Sequence, residues 1–280
     1  MQSYETFPPG SSERWKSLIE KELGTPVREG LPLPFYTMEE LPSWKSLSPL
    51  PTPTGWKLIA ERYVPDEIDI WLFDARFEAE GARAKEWLLV GDNLPTAYPP
   101  GTTLYQLWQE ETPSPIMGNR VWELPFFLTS DLRVEGQWPA IPSEGELHLA
   151  IRLDQRVLIS VLLMRALRLA LWPRPTFLWA LPASTLYDST GSLSQEGPEE
   201  NLIRATLYAL GAILGGAHAV YIPPIHSAED SHAARWSRNI SHLLRHEVAH
   251  LYSTADPLAG SFYIETESRR LAAHLQTLLP

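Results

Sequence analysis

A chain of 280 residues, 44% hydrophobic and 20% charged, is long enough to bury a sizeable core as one large domain or two small ones. Its formal net charge of -11 excludes non-specific attraction to nucleic acid or to an anionic membrane, because both would repel the average surface. With no cysteine there is neither a disulfide framework nor a thiolate metal site, and a cytoplasmic location is expected.

Residues 1–10 are polar, carry Glu5 and lack a basic segment followed by an apolar run, so no secretory signal is expected. Residues 13–23 read as a helix, with Trp15, Leu18, Ile19 and Leu23 on one face, Ser11 or Ser12 available as a cap, and Gly24 and Pro26 to end it. From 31 to 53 prolines recur every few residues, which excludes a long helix and predicts an extended arm or irregular connector. Residues 56–62 and 68–73 look like short strand or strand-helix pieces, 74–85 like a helix, and 87–90 like a strand. The stretch 94–142, rich in Pro, Gly and aromatics, holds no long periodic helix and predicts short strands, turns and room for one short helix.

The second half is more regular. A strand is expected over 146–151, followed by a helix on which Leu158, Leu162, Ala166, Leu169 and Ala170 recur at spacings of three and four. That apolar run is interrupted by Arg165 and Arg168 and is too short to span a membrane. Then come a strand over 176–181, a helix over 200–214 stopped by Gly215-Gly216, a strand over 219–222, a long helix over 227–252, a short segment 262–265 and a final helix over 268–279. Repeated βα units need a parallel sheet, closed as a barrel or open and doubly wound. A length of 280 residues is near the roughly 250 usual for eight units.

Two local patterns carry chemistry. His246-Glu247-Val248-Ala249-His250 is the helical zinc-protease pattern: His246 and His250 would share a helix face, Glu247 would polarise a bound water, and Glu265 or Glu267 would supply a third ligand. The same pattern arises from a polar stripe of His242, His246 and His250 on an amphipathic helix. Asp230-Ser231-His232 is read as the start of a helix, with Ser227 or Asp230 as its cap.

A longer frame surrounds these patterns. Arg238-Asn239 opens a helical run, Glu247 stands near its end, and Ala255-Asp256-Pro257-Leu258-Ala259-Gly260-Ser261-Phe262-Tyr263-Ile264-Glu265 follows without a gap. Upstream lie Asn201-Leu202-Ile203-Arg204-Ala205-Thr206, the Leu214-Gly215-Gly216-Ala217 turn and Arg165-Ala166-Leu167-Arg168. Near the N-terminus are Phe7-Pro8-Pro9, Trp15, Glu20-Lys21-Glu22-Leu23 and Leu33-Pro34-Phe35-Tyr36-Thr37. In this order the pieces resemble the barrel domain of the methylmalonyl-CoA mutase family, and specifically its small (beta) subunit type.

The resemblance implies a degenerate (β/α)8 TIM barrel, shortened over residues 56–280, behind an N-terminal helix and proline-rich arm over 1–55, with no C-terminal cobalamin-binding domain. It implies that trimmed loops and one or two missing helices are to be expected. Active chains of the family carry a Ser-Gly-Tyr-His segment and an Arg-Thr-His segment, and at the second position this chain reads Trp179-Ala180-Leu181-Pro182-Ala183-Ser184-Thr185. The implied role is therefore that of a noncatalytic subunit. It would bind no cofactor itself, leaving adenosylcobalamin to a large catalytic partner in a heterodimer. Phe35, Tyr36 and Trp44 are candidate anchors for that partner, or else covers for the chain's own barrel. Any residual pocket would lie at the C-terminal ends of the strands, near Ser184, Tyr187, His218, Tyr221, His226 and Asp256. Two other readings stand beside this one: a zinc metallopeptidase using His246, His250 and Glu265, and a stand-alone barrel with an altered ligand.

Overall fold

The computed structural model describes residues 12–24, 55–60, 64, 67–72, 81, 83–90, 95, 97–108, 118–129, 132–183, 186, 197–226, 230–248, 251 and 256–279. The first element, α1 (Ser12–Leu23), ends as its sequence predicts. Gly24 takes φ +65°, a conformation open to glycine, and its N–H donates to the Glu20 carbonyl at 2.9 Å. The arm over 31–53, the helix expected over most of 74–85, and residues Phe35, Tyr36, Trp44, Ser184, Tyr187 and His250 lie outside the described residues.

Eight parallel strands close into a barrel. In chain order they are β1 (Lys57–Ala60), β2 (Ile70–Leu72), β3 (Glu86–Leu89), β4 (Thr103–Trp108), β5 (Asn119–Leu124), β8 (Leu147–Leu153), β9 (Thr176–Pro182) and β10 (Ala219–Tyr221). Each pairs with the next around the ring, and β10 pairs with β1 through Leu58 opposite Val220. Of the two sheets the βα alternation allows, this is the closed one. Between β5 and β8 lies a two-stranded antiparallel hairpin, β6 (Phe127–Leu128) with β7 (Val134–Glu135).

The helices follow their local chemistry. Helix α2 (Val157–Leu171) is apolar and largely buried. Helix α3 (Pro198–Leu214) starts with proline at its first position and Glu199 and Glu200 in its first turn, which suits the fixed φ of proline and the helix dipole. The turn after it brings α3 against α2: a Cβ on Gly215 would stand 2.7 Å from the Met164 Cβ. Helix α4 (Ser231–His246) is capped by the Asp230 carboxylate, which accepts from the His232 N–H at 2.8 Å, as one of the two expected caps.

Two boundaries differ from expectation. Helix α4 stops at His246 rather than continuing to 252. Continuation would have put Val248 one turn beyond buried Leu244, whereas Val248 is 42% exposed and Leu251 turns inward instead. The last helix, α5 (Phe262–Leu278), begins at Phe262, so the segment 262–265 is its first turn and not a separate piece. Its buried residues Ile264, Glu265, Ser268, Leu271, Ala272 and Leu275 keep one helical face from the first turn onward.

Helix α5 also explains how a barrel with a missing helix stays covered. Among the described residues the β5–β8 crossover carries the hairpin and no helix. Helix α5 packs along α2, and Arg270 and Trp138 tie it to that crossover through the Leu132 and Leu275 carbonyls at 3.0 and 3.3 Å. The last helix thereby covers the flank of α2 that the crossover leaves bare.

The core has two main shells. Outward strand residues and the helices form the larger one. The second fills the barrel itself, with Ile59, Ile70, Leu88, Leu107, Val121 and Trp179 among its members and Tyr105 and Phe177 packed against it. Trp179, 1% exposed, stands between Ala150 and Ala219 on the neighbouring strands, so two alanines make room for one indole. No described helix is long and apolar enough to cross a membrane.

Candidate functional site

In a parallel barrel every strand ends on the same face, so the C-terminal ends of the eight barrel strands define the mouth at which a residual pocket was expected. Inward residues near that mouth are Leu181 of β9 and Tyr221 of β10. Beside them the polar groups are Glu123 of β5 and Arg152 of β8. The Arg152 guanidinium donates to both Glu123 oxygens, at 2.5 and 3.3 Å, and to the Pro182 carbonyl at 3.2 Å. This pair was missed in the sequence, although the alternation Leu147-His148-Leu149-Ala150-Ile151-Arg152 puts His148, Ala150 and Arg152 on one strand face.

Of the residues expected at this mouth, the structure brings only some together. Tyr221 is there and is nearly buried. His226 is exposed, after a Pro223-Pro224 step pinned by the Ser237 hydroxyl donating to the Pro223 carbonyl at 2.7 Å. His218 is not at this end: it precedes β10 and so lies at the N-terminal ends of the strands. Asp256 is not in a mouth either. It is buried in the helix layer, where Arg165 of α2 donates to both of its oxygens at 2.7 and 2.8 Å and to Glu265 of α5 at 2.8 Å. Arg165 and Glu265 are buried with it, so the cluster is a structural clamp between α2, α5 and the segment joining α4 to α5.

The opposite, N-terminal mouth is richer than expected. There Lys57 pairs with Glu86 at 2.5 Å, Phe177 lies between the His148 and His218 rings, and Tyr105 packs on His148 and Trp179. Burial, and then Glu86, push the Tyr105 hydroxyl up to about 12. Burial lowers His148, while burial and then Arg168 bring His218 down to about 4. Neither imidazole is arranged as a general base. His148 Nδ1 accepts from the Trp179 indole at 3.3 Å, and His218 Nδ1 accepts from the Leu178 N–H at 3.1 Å. A cavity of about 490 Å³ beside His148 is lined by Asn119, Arg120, Trp122 and Glu146.

The zinc arrangement is not assembled by the described residues. Helix α4 ends at His246 with Glu247 as its C-cap, and His250 lies outside the described residues, so the described residues do not carry the helix through the His-Glu-x-x-His pattern. Glu265, the expected third ligand, is occupied by Arg165. Among the described residues no group of three or more His, Cys, Asp or Glu is placed to hold a metal ion.

Residues 183–280 match the sequence profile of the family described as methylmalonyl-CoA mutase. Over 135 residues the chain is 34% identical to the methylmalonyl-CoA mutase small subunit of Streptomyces virginiae, an alignment that covers 45% of this chain and 21% of the relative. It is 32% identical over 155 residues to a probable methylmalonyl-CoA mutase small subunit of Mycobacterium tuberculosis (strain ATCC 25618 / H37Rv), covering 50% of this chain and 25% of the relative. It is 30% identical over 138 residues to the methylmalonyl-CoA mutase of Rhizobium meliloti (strain 1021), covering 46% and 19%. The chain thus spans a quarter or less of the length of these relatives. The resemblance to the methylmalonyl-CoA mutase family read from the residues, small-subunit members included, holds over about half of the chain.

Proposed function

We propose that this chain is the noncatalytic small subunit of a cytoplasmic, heterodimeric, adenosylcobalamin-dependent methylmalonyl-CoA mutase, with catalysis left to a larger partner. The observation that carries this reading is the filled barrel. Ile59, Ile70, Leu88, Leu107, Val121, Trp179 and Leu181 occupy the axis, and each is no more than 5% exposed, so among the described residues the axis is filled by side chains rather than open to an acyl thioester. The described residues do not fit adenosylcobalamin. Beneath the C-terminal mouth the barrel is packed with Trp179, Leu181 and Tyr221, and the polar pair there, Glu123 and Arg152, is spent on itself and on a backbone carbonyl. No step of the rearrangement is assigned to this chain, because radical chemistry belongs to the cofactor and the described residues offer it no seat.

A subunit role needs a protein surface, and α3 and α4 offer one. Between them runs an apolar groove of about 500 Å³ lined by Leu202, Trp236, Ile240, Leu243 and Val248, with Trp236 41% and Leu243 57% exposed. Exposed contiguous apolar surface of this kind favours a protein partner. The relatives named as small subunits support the same reading.

The test is native purification from source cells with mass spectrometry of whatever accompanies the chain. Roughly stoichiometric recovery of a larger, cobalamin-binding mutase chain is the expected result. Recovery of the chain alone, at concentrations where the larger chain is present in the lysate, would sink the subunit reading.

A further inference from the structure

Arg168, on the last turn of α2, is half-buried and lacks the carboxylate partners that Arg165 has. One turn earlier, the Arg165 guanidinium donates through Nη1 to Asp256 and through Nη2 to Glu265. The Arg168 Nη1 is buried and makes no hydrogen bond. A guanidinium that served only to satisfy the exposed carbonyls at the end of α2 would bond to one of them. An unmet charged N–H out of water is costly, so its surroundings decide what it is for.

Those surroundings form a cavity of about 310 Å³ between the end of α2 and the first residues of β9 and β10, lined by Arg168, Trp172, Arg174, Thr176, His218 and two prolines. No carboxylate lines it. Arg174 adds a second positive charge that only neutral groups meet, since its three nitrogens donate to the carbonyls of Gly145, Pro142 and Glu144. On His218 the Nδ1 lone pair is taken by the Leu178 N–H, which leaves the proton of the neutral ring on Nε2, a donor. Asp256, a negative group acting on Arg168, is already held by Arg165.

We propose that this cavity is a binding site for a small oxyanion, a phosphate or carboxylate group, held by Arg168 with His218 as a second donor. A guanidinium presents paired N–H groups at the spacing of two oxyanion oxygens, and the bonds are charge-assisted. The volume suits inorganic phosphate or the anionic end of a small metabolite rather than a whole nucleotide cofactor. Burial and the neighbouring Arg165 bring Arg168 down to about 10, which still leaves it charged at neutral pH. The site stands apart from the subunit reading and survives or fails without it.

Equilibrium dialysis of the full chain with radiolabelled phosphate tests this, with acetate and glycerol 3-phosphate as competitors and chloride at matched ionic strength as control. Saturable phosphate binding that chloride does not displace is expected. Competition by glycerol 3-phosphate beyond that of phosphate itself would identify a metabolite's phosphoryl end as the source, and equal competition free phosphate. Arg168→Met should weaken binding about tenfold to a hundredfold, the loss of one charge-assisted pair, and Arg168→Lys less. If the methionine variant does not fold, Trp172→Glu decides, because Trp172 is 61% exposed and a carboxylate at the cavity mouth would compete for Arg168. Absence of saturable binding in the native chain, or unchanged binding in the folded variants, would overturn the proposal.

Discussion

Arg165 shows how one residue can hold three segments. It lies in the middle of an apolar helix with no exposure, a position that a guanidinium tolerates only when its charge is met. Its partners Asp256 and Glu265 are 91 and 100 residues away in sequence. The anomaly of an arginine among leucines was therefore legible, but its partners were not. Arg165→Met removes the cation and strands two buried carboxylates, so a loss of about 3–5 kcal/mol in urea unfolding is expected. A loss under about 1 kcal/mol would mean that the cluster does not close as described. His218 makes a second prediction at this scale. Burial and Arg168 hold its pKa at about 4, below the ordinary 6.5, so between those values the unfolded chain binds more protons than the folded one. Stability should fall as pH drops from about 6.5 to about 4, with a slope of up to ~1.4 kcal/mol per pH unit from this group. His218→Gln should flatten that part of the profile, and an unchanged slope would contradict the assignment.

Among the elements, α2, α3 and the strands β8, β9 and β10 could be read from periodicity, whereas β4 and β5, inside the Pro- and Gly-rich stretch 94–142, and the ends of α4 and α5 could not. Apolar spacing is a local property, but a helix stops where its next turn has nothing to pack against. Val248 has the right spacing to extend α4 and no core to enter. Phe262 and Ile264 look like an alternating pair until Glu265, Leu271 and Leu275 are seen on one face against α2. The seam between α2 and α5 gives the testable consequence at this scale. Leu275→Ala, at a fully buried position, should cost about 2–5 kcal/mol. Leu278→Ala, at a position 37% exposed, should stay within about 0.5 kcal/mol. Chemical denaturation of the two variants side by side checks this; equal effects would remove α5 from the cover of the barrel.

For the whole molecule, closure of the sheet makes the interior a fixed volume, and Trp179 is the side chain that fills most of its centre. Trp179→Ala should cost about 3–5 kcal/mol and leave a cavity on the axis. Denaturant unfolding measures the first, and uptake of xenon or benzene by the variant but not by the native chain measures the second. The sequence by itself determined the alternation of strands and helices, hence a parallel sheet, and the ordered motifs that resemble the methylmalonyl-CoA mutase family. Both are written in short spans of chain, where residue spacing and propensity suffice. Only the tertiary structure decided that the sheet closes, that alanines on β8 and β10 leave room for an indole, that His218 and Arg168 meet at the N-terminal ends of the strands, and that the last helix covers a flank left bare in the middle of the chain. These depend on register, summed side-chain volume and encounters across the fold, which no window along the sequence contains.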